Sequence, residues 1–158
     1  MAEIFGTVAG IVQVVSFGVE VSSTLFKYAK KFHNAGKELE EIAGQVETIT
    51  VSLRTVDALL KDPTTQTLHT QKLYDDTTTV SNGCLEVFRD LDNYVKSFEP
   101  RPGLRGIALR SKARWLTDSS RVHELGHVLR RYGDVLHLMI SVMVIVEGRR
   151  AAFVYCQP

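Results

Sequence analysis

At 158 residues, with 44% hydrophobic and 23% charged side chains, the chain is sized for one globular domain around a single core and leaves little room for a second. A formal net charge of +1 excludes a global electrostatic pull toward nucleic acid or membrane, so any such attraction must come from local clustering. The two cysteines, Cys84 and Cys156, form neither a C-x-x-C pair nor a disulfide framework, which fits a reducing, cytoplasmic compartment.

The opening "MAEIFGTVAG" has no basic stretch ahead of its apolar run and carries Glu3, so it does not read as an export signal. From Ile4 to Val19 sixteen residues lack charge, short of the roughly 20 that a spanning helix needs. This first segment, about Glu3 to Phe32, is helical in pattern, apolar nearly all round at its start and basic at Lys27, Lys30 and Lys31. A second helix is predicted from about Lys37 to Lys61, where Leu39, Ile42, Val46, Ile49, Leu53, Val56 and Leu60 alternate spacings of three and four. Pro63 ends it, because proline cannot continue the hydrogen-bond ladder.

A third helix is predicted from about Thr70 to Phe98, with Leu73, Thr77, Val80, Cys84, Val87, Leu91, Tyr94 and Phe98 on its inner face. The prolines and glycines of "EPRPGLRG" break the chain, and a basic segment follows as a short extra helix or connector. The last long helix is predicted to start at Thr117 or Asp118, both able to cap it, and to run to about Glu147. Its stripe is Val122, Leu125, Leu129, Tyr132, Leu136, Met139, Met143 and Val146. Beyond Leu138 every face is apolar, which places that end deep in the core against the first helix. No alternating run argues for a strand. The expected fold is all-α, a four-helix-type bundle over residues 1–147 with a glycine-bearing N-terminal helix, and 148–158 form a loose tail.

Within the last helix, His123-Glu124-Leu125-Gly126-His127 spells the H-E-x-x-H signature of zinc peptidases, in which two histidines one turn apart share a metal and the glutamate activates its water. The helical period places His123 and His127 with Arg130, Asp134 and Ser141 on the face opposite the stripe, toward solvent. Arg130 and Gly133 stand where the longer motif has its glycine and third histidine, and Asp134 lies about 10 Å along the helix from His127 at a rise of about 1.5 Å per residue. The motif is therefore read as a solvated helix face. No phosphate-cradling loop or nucleophile elbow is present. The expectation is a non-enzymatic protein without catalytic residues, metal or cofactor.

Gly6, Gly10, Val14 and Gly18 fall along one ridge of the first helix. Each interior glycine costs a helix about 1 kcal/mol relative to alanine, and small residues at this spacing let a second backbone approach closely. Packing inside the bundle and contact between released helices both account for them. Between Pro100 and Thr117 lie Arg101, Arg105, Arg110, Lys112, Arg114 and Trp115 with no acidic residue. Such a cluster attracts anionic headgroups, and tryptophan favours the membrane interface; a solvated connector fits equally. One aromatic offers no stacking platform for nucleic acid, so none is expected as a partner.

The stretches "MAEIFGTVAGIVQVVSFGVEVSSTLFKYAKKF" and "SKARWLTDSSRVHELGHVLRRYGDVLHLMISVMV" together resemble the fungal HeLo and HeLo-like N-terminal domains of intracellular NOD-like receptors. The resemblance covers roughly Met1 to Val146. It rests on the glycine-bearing apolar N-terminus, the K/R-x-x-W approach from Lys112 to Trp115, and the apolar end of the last helix. It implies a cytoplasmic helical bundle that, on self-association, releases its first helix at the plasma membrane and causes cell death by permeabilising it. In that reading Glu3, Ile4, Phe5, Val8, Ile11, Val12 and Val15 insert, and Gly6, Gly10 and Gly18 mediate helix contact. Lys27, Lys30, Lys31, Arg110, Lys112, Arg114 and Trp115 meet anionic headgroups. Relatives of this kind continue into nucleotide-binding, repeat or amyloid-signalling segments. A solitary effector, a lipid-independent module that regulates longer receptors or homologous domains, and an incomplete product are all compatible with the chain.

Overall fold

A computed structural model describes residues 2–31, 36–63, 70–97 and 107–155; for 2–9, 107–119, 147 and 149–155 it describes the backbone alone. Four helices follow in chain order: α1 (Ala2–Lys31), α2 (Gly36–Lys61), α3 (Gln71–Lys96) and α4 (Ile107–Tyr155). Among the described residues there is no strand.

The boundaries follow local chemistry. Lys30 and Lys31 occupy the last turn of α1, where cations complement the helix dipole, and the Lys31 ammonium lies 5.9 Å from the centre of the Tyr28 ring. α2 ends at Lys61, whose Nζ holds Asp57 Oδ2 at 2.6 Å one turn back, two residues before Pro63. Thr70 caps α3 by accepting a hydrogen bond from the Leu73 N–H at 3.3 Å. At the other end the Ser97 hydroxyl donates to the Tyr94 carbonyl at 2.6 Å.

α1 packs against α2 and α3, and α4 packs against the same two helices, so α1 and α4 face each other across a diagonal of the bundle. The α2 stripe from Leu39 to Leu60 is buried at every position. Ile11, Val14, Val21 and Leu25 of α1 meet it together with Cys84, Phe88 and Leu91 of α3 and Leu129 and Leu136 of α4. The Ser22 hydroxyl donates to the Ala43 carbonyl at 3.2 Å, a buried link between α1 and α2.

Two glycines set helix separation. A Cβ at Gly18 would strike the Thr50 hydroxyl and come within 2.8 Å of Phe88 Cε2, so α1 approaches α2 and α3 together at this point. A Cβ at Gly83 would collide with the Tyr132 phenol, which lies over α3 where α4 crosses it.

Several expectations are corrected. α4 begins at Ile107, so Thr117 and Asp118 lie inside it and Arg110, Lys112 and Arg114 belong to its first turns, not to a separate connector, while Arg101 and Arg105 lie outside the described residues. Neither proline nor glycine occurs between Ile107 and Leu125 to interrupt the ladder. The helix also continues past Glu147 to Tyr155, where a loose tail is expected; Gly148 weakens it locally, but no proline intervenes. The segment from Leu138 to Val146 is not deep in the bundle: only Met143 is buried, while Leu138, Val142 and Ile145 are 66%, 52% and 56% exposed. The reason is geometric, since α4 has 49 residues and its neighbours 26, and α1 stands on the diagonal instead of beside it. Val12 is 47% exposed, and a Cβ at Gly10 would meet nothing within 4 Å.

Candidate functional site

Between α1 and α2 a groove of about 590 Å³ opens on the bundle surface. Its periodicity explains its chemistry. Val19, Phe26, Lys27 and Lys30 lie on one outward strip of α1, and Glu47, Val51 and Arg54 lie on the facing strip of α2, each off the buried stripe of its own helix. Val19 and Val51 are exposed large apolar side chains, Phe26 is half-buried against the core, and Lys27, Lys30 and Arg54 are exposed. Three cations and one carboxylate therefore border an apolar floor. The Ser22 hydroxyl in the lining donates to the Ala43 carbonyl of α2 and the Thr50 hydroxyl to the Val46 carbonyl within α2, which leaves recognition to the charged rim.

The expected membrane-contact residues are distributed unevenly. Lys27 and Lys30 border this groove, and Lys31 is exposed in the same last turn of α1. Ile11 is buried and Val15 half-buried, so the two are held in the bundle and Val12 alone of the three points outward. The side chains of Glu3, Ile4, Phe5 and Val8, and the position of Gly6, lie in the part of α1 for which only backbone is described. Arg110, Lys112, Arg114 and Trp115 belong to α4 but their side chains lie outside the described residues. Gly10 and Gly18, expected to act alike, do not: Gly18 is a buried close approach and Gly10 borders open space.

Arg54 and Val51 were not foreseen as members of one site with Lys27 and Lys30. Val51 does carry a signal, being a valine off the α2 stripe; Arg54 carries none until the pairing of α1 with α2 is known. Across the α2 and α4 contact, His123 Nε2 lies 3.5 Å from Glu38 Oε1, with both side chains substantially exposed. A small hollow of about 80 Å³ there is bordered by Glu38, Glu41, Gln45, His123, His127 and Arg130. Among the described residues no group of three or more His, Cys, Asp or Glu side chains converges closely enough to hold a metal ion. His123 and His127 are exposed on the polar face of α4, with Arg130, Asp134 and Ser141.

Among the described residues no helix is long and apolar enough to cross a membrane. The fold defines an all-α helical bundle. Comparison with known proteins gives no match to a family model, a curated protein or a solved structure.

Proposed function

We propose that this bundle is a non-enzymatic, membrane-targeting effector domain, which meets an anionic cytoplasmic membrane surface and permeabilises it on self-association. The reading is the one the HeLo-like resemblance implies, and the observation that carries it is the cationic rim of Lys27, Lys30 and Arg54 over exposed Val19 and Val51. Each basic side chain near an anionic surface contributes about 1 kcal/mol, and apolar side chains on the same strip can enter the headgroup boundary. Initial contact is thus interfacial. Deeper insertion requires α1 to leave the core, and the burial of Ile11 and Val14 makes that step costly unless association offsets it.

Dye release from liposomes containing phosphatidylserine tests this reading. The intact chain is expected to cause release, and the triple substitution Lys27→Glu, Lys30→Glu, Arg54→Glu to reduce it at least about tenfold, with cooperative melting retained because all three positions are exposed. Absence of release by the intact chain, or equal release by the triple variant, defeats the proposal. A second reading, a lipid-independent interaction module, is favoured by the uncovered apolar side chains of α4.

A further inference from the structure

Val135, Leu138, Val142 and Ile145 of α4 are exposed, and at about 100° per residue they share a strip roughly 140° around the helix from the core positions Leu129, Leu136 and Met143. The strip ends in arginine on both sides. Arg131, itself exposed, stands two turns before Leu138, and the helix backbone carries Arg149 two turns after Val142, in the same register. The two positions lie about 27 Å apart along the axis at a rise of about 1.5 Å per residue. Arg130 and Arg150 adjoin them, so residues 130–150 hold four arginines against Asp134 and Glu147. We propose that this strip is a second lipid-docking surface, by which α4 lies in the headgroup region of an anionic membrane with its axis parallel to the bilayer plane. The inference rests on the membrane-targeting reading above, but on residues that reading does not use.

Charge and shape select the occupant. Exposure alone would also suit another helix, from a partner protein or a second copy. An antiparallel copy would set Arg131 against Arg149 at both ends of the strip, where like charges oppose pairing. An anionic membrane is negative along its whole surface, so it meets both ends at once and each basic residue adds to the attraction. From Leu138 to Val146 Ser141 is the one polar residue, and the exposed Val144 and Val146 widen the apolar surface to about 200° of the helix. One partner helix covers a narrower seam, whereas headgroups and acyl chains conform to a convex surface. No Phe, Tyr or Trp occurs between Gly133 and Ala152, so the aromatic anchors that dominate protein interfaces are missing from the strip. Among the described residues no helix can cross a membrane, which leaves contact in the plane of the interface. Because α4 stands diagonally across the bundle from α1, the strip is a surface separate from the groove between α1 and α2.

Flotation of the full chain with extruded vesicles of mixed phosphatidylcholine and phosphatidylserine tests the surface. Leu138→Gln combined with Val142→Gln removes apolar contact without altering net charge, and the partition coefficient is expected to fall at least about tenfold. Arg131→Gln is expected to lower it about fivefold, as the loss of one basic residue at an anionic surface. All three side chains are exposed, so circular dichroism melting is expected to stay cooperative in each variant. A second measurement needs no loss of binding: in a Cys156→Ser background, with Cys84 buried, a nitrobenzoxadiazole label attached through Val142→Cys is expected to shift its emission to the blue when vesicles are added. A wild-type chain that leaves the vesicles unbound overturns the proposal, as does an unchanged partition coefficient in the glutamine pair or a label whose emission does not move. No effect of Arg131→Gln overturns the assignment to an anionic surface. Self-association in lipid-free sedimentation velocity that the glutamine pair abolishes assigns the strip to a second copy and likewise overturns it. Dye release separates this surface from the permeabilisation reading: release with no shift at position 142 defeats the strip alone, and a shift at position 142 with no release defeats permeabilisation alone.

Discussion

Gly18 of α1 lies so close to Phe88 of α3 that a single added methyl group would stand 2.8 Å from the ring. Phe88 is completely buried, so the ring has no solvent side into which to retreat, and Thr50 closes the opposite flank. Gly18→Ala is expected to destabilise the bundle by about 1–3 kcal/mol, overpacking outweighing the gain of about 1 kcal/mol that alanine brings to a helix. Gly10→Ala meets no neighbour and is expected to stabilise by up to about 1 kcal/mol. Thermal melting should therefore move in opposite directions for the two, by about 2–4 °C per kcal/mol in a chain of this size. A shift in the same direction would show that the glycines do not occupy different environments.

Removal of residues 1–20 tests how firmly α1 is held. It deletes buried Ile11 and Val14 and the Gly18 contact, leaving Val21 and Leu25 to cover what remains. At about 1.5–3 kcal/mol per buried aliphatic side chain, with further cost from the cavity, the loss is comparable with a total stability of about 5–15 kcal/mol. The truncated chain is expected to lose cooperative melting and to bind a hydrophobic dye. If it melts cooperatively near the temperature of the intact chain, α1 is peripheral and its release needs no compensating association.

The α2 stripe shows what the sequence made legible. Spacings of three and four from Leu39 to Leu60 name seven buried residues and the face they share, because a helix of ordinary length between two breakers has one core side. The same periodicity on α4 identifies Val122, Leu125, Leu129, Leu136 and Met143 correctly but fails for Val146, and the all-round apolar run that suggests a deeply buried end fails for Leu138 and Ile145. Hydrophobicity records what a side chain would prefer, not whether a neighbouring helix reaches it. The length of α4 escaped for a related reason: Thr117 and Asp118 can cap a helix, yet capping residues do not interrupt one already stable around them. The groove was half legible. Lys27 and Lys30 are visible as a basic turn, whereas Arg54 joins them only through the register of α1 against α2.

Ser81 offers a test of the core's polar accounting. It is 3% exposed on the inner side of α3, and its hydroxyl has no hydrogen-bond partner among the described residues. Thr77, one turn earlier and equally buried, donates to the Leu73 carbonyl at 2.7 Å. Leaving a buried hydroxyl unpaired costs about 1–3 kcal/mol, and alanine is the better helix former. Ser81→Ala is expected to raise stability by about 1 kcal/mol in urea unfolding, while Thr77→Ala lowers it. An unstable Ser81→Ala chain would mean that the hydroxyl makes a bond that matters.

Cys84 sits on the buried stripe of α3, and desolvation there pushes its thiol from an ordinary 9.0 up to about 12, with a backbone hydrogen bond acting weakly the other way. The thiolate is the reactive form, so at pH 8 the folded chain holds Cys84 almost wholly as thiol behind a packed core. In a Cys156→Ser background, an aromatic disulfide reagent is expected to leave native Cys84 untouched over the time in which urea-unfolded chain reacts completely. The sign of the linked stability follows from the same shift. Below pH 9 both folded and unfolded chains carry the protonated thiol, and its contribution is fully present. Between 9 and about 12 the unfolded chain releases the proton first, so stability falls as pH rises, and Cys84→Ala should remove that component of the decline. Rapid labelling of the native chain at pH 8, with no change in its melting, would instead show that the α3 face opens locally around Cys84 without global unfolding.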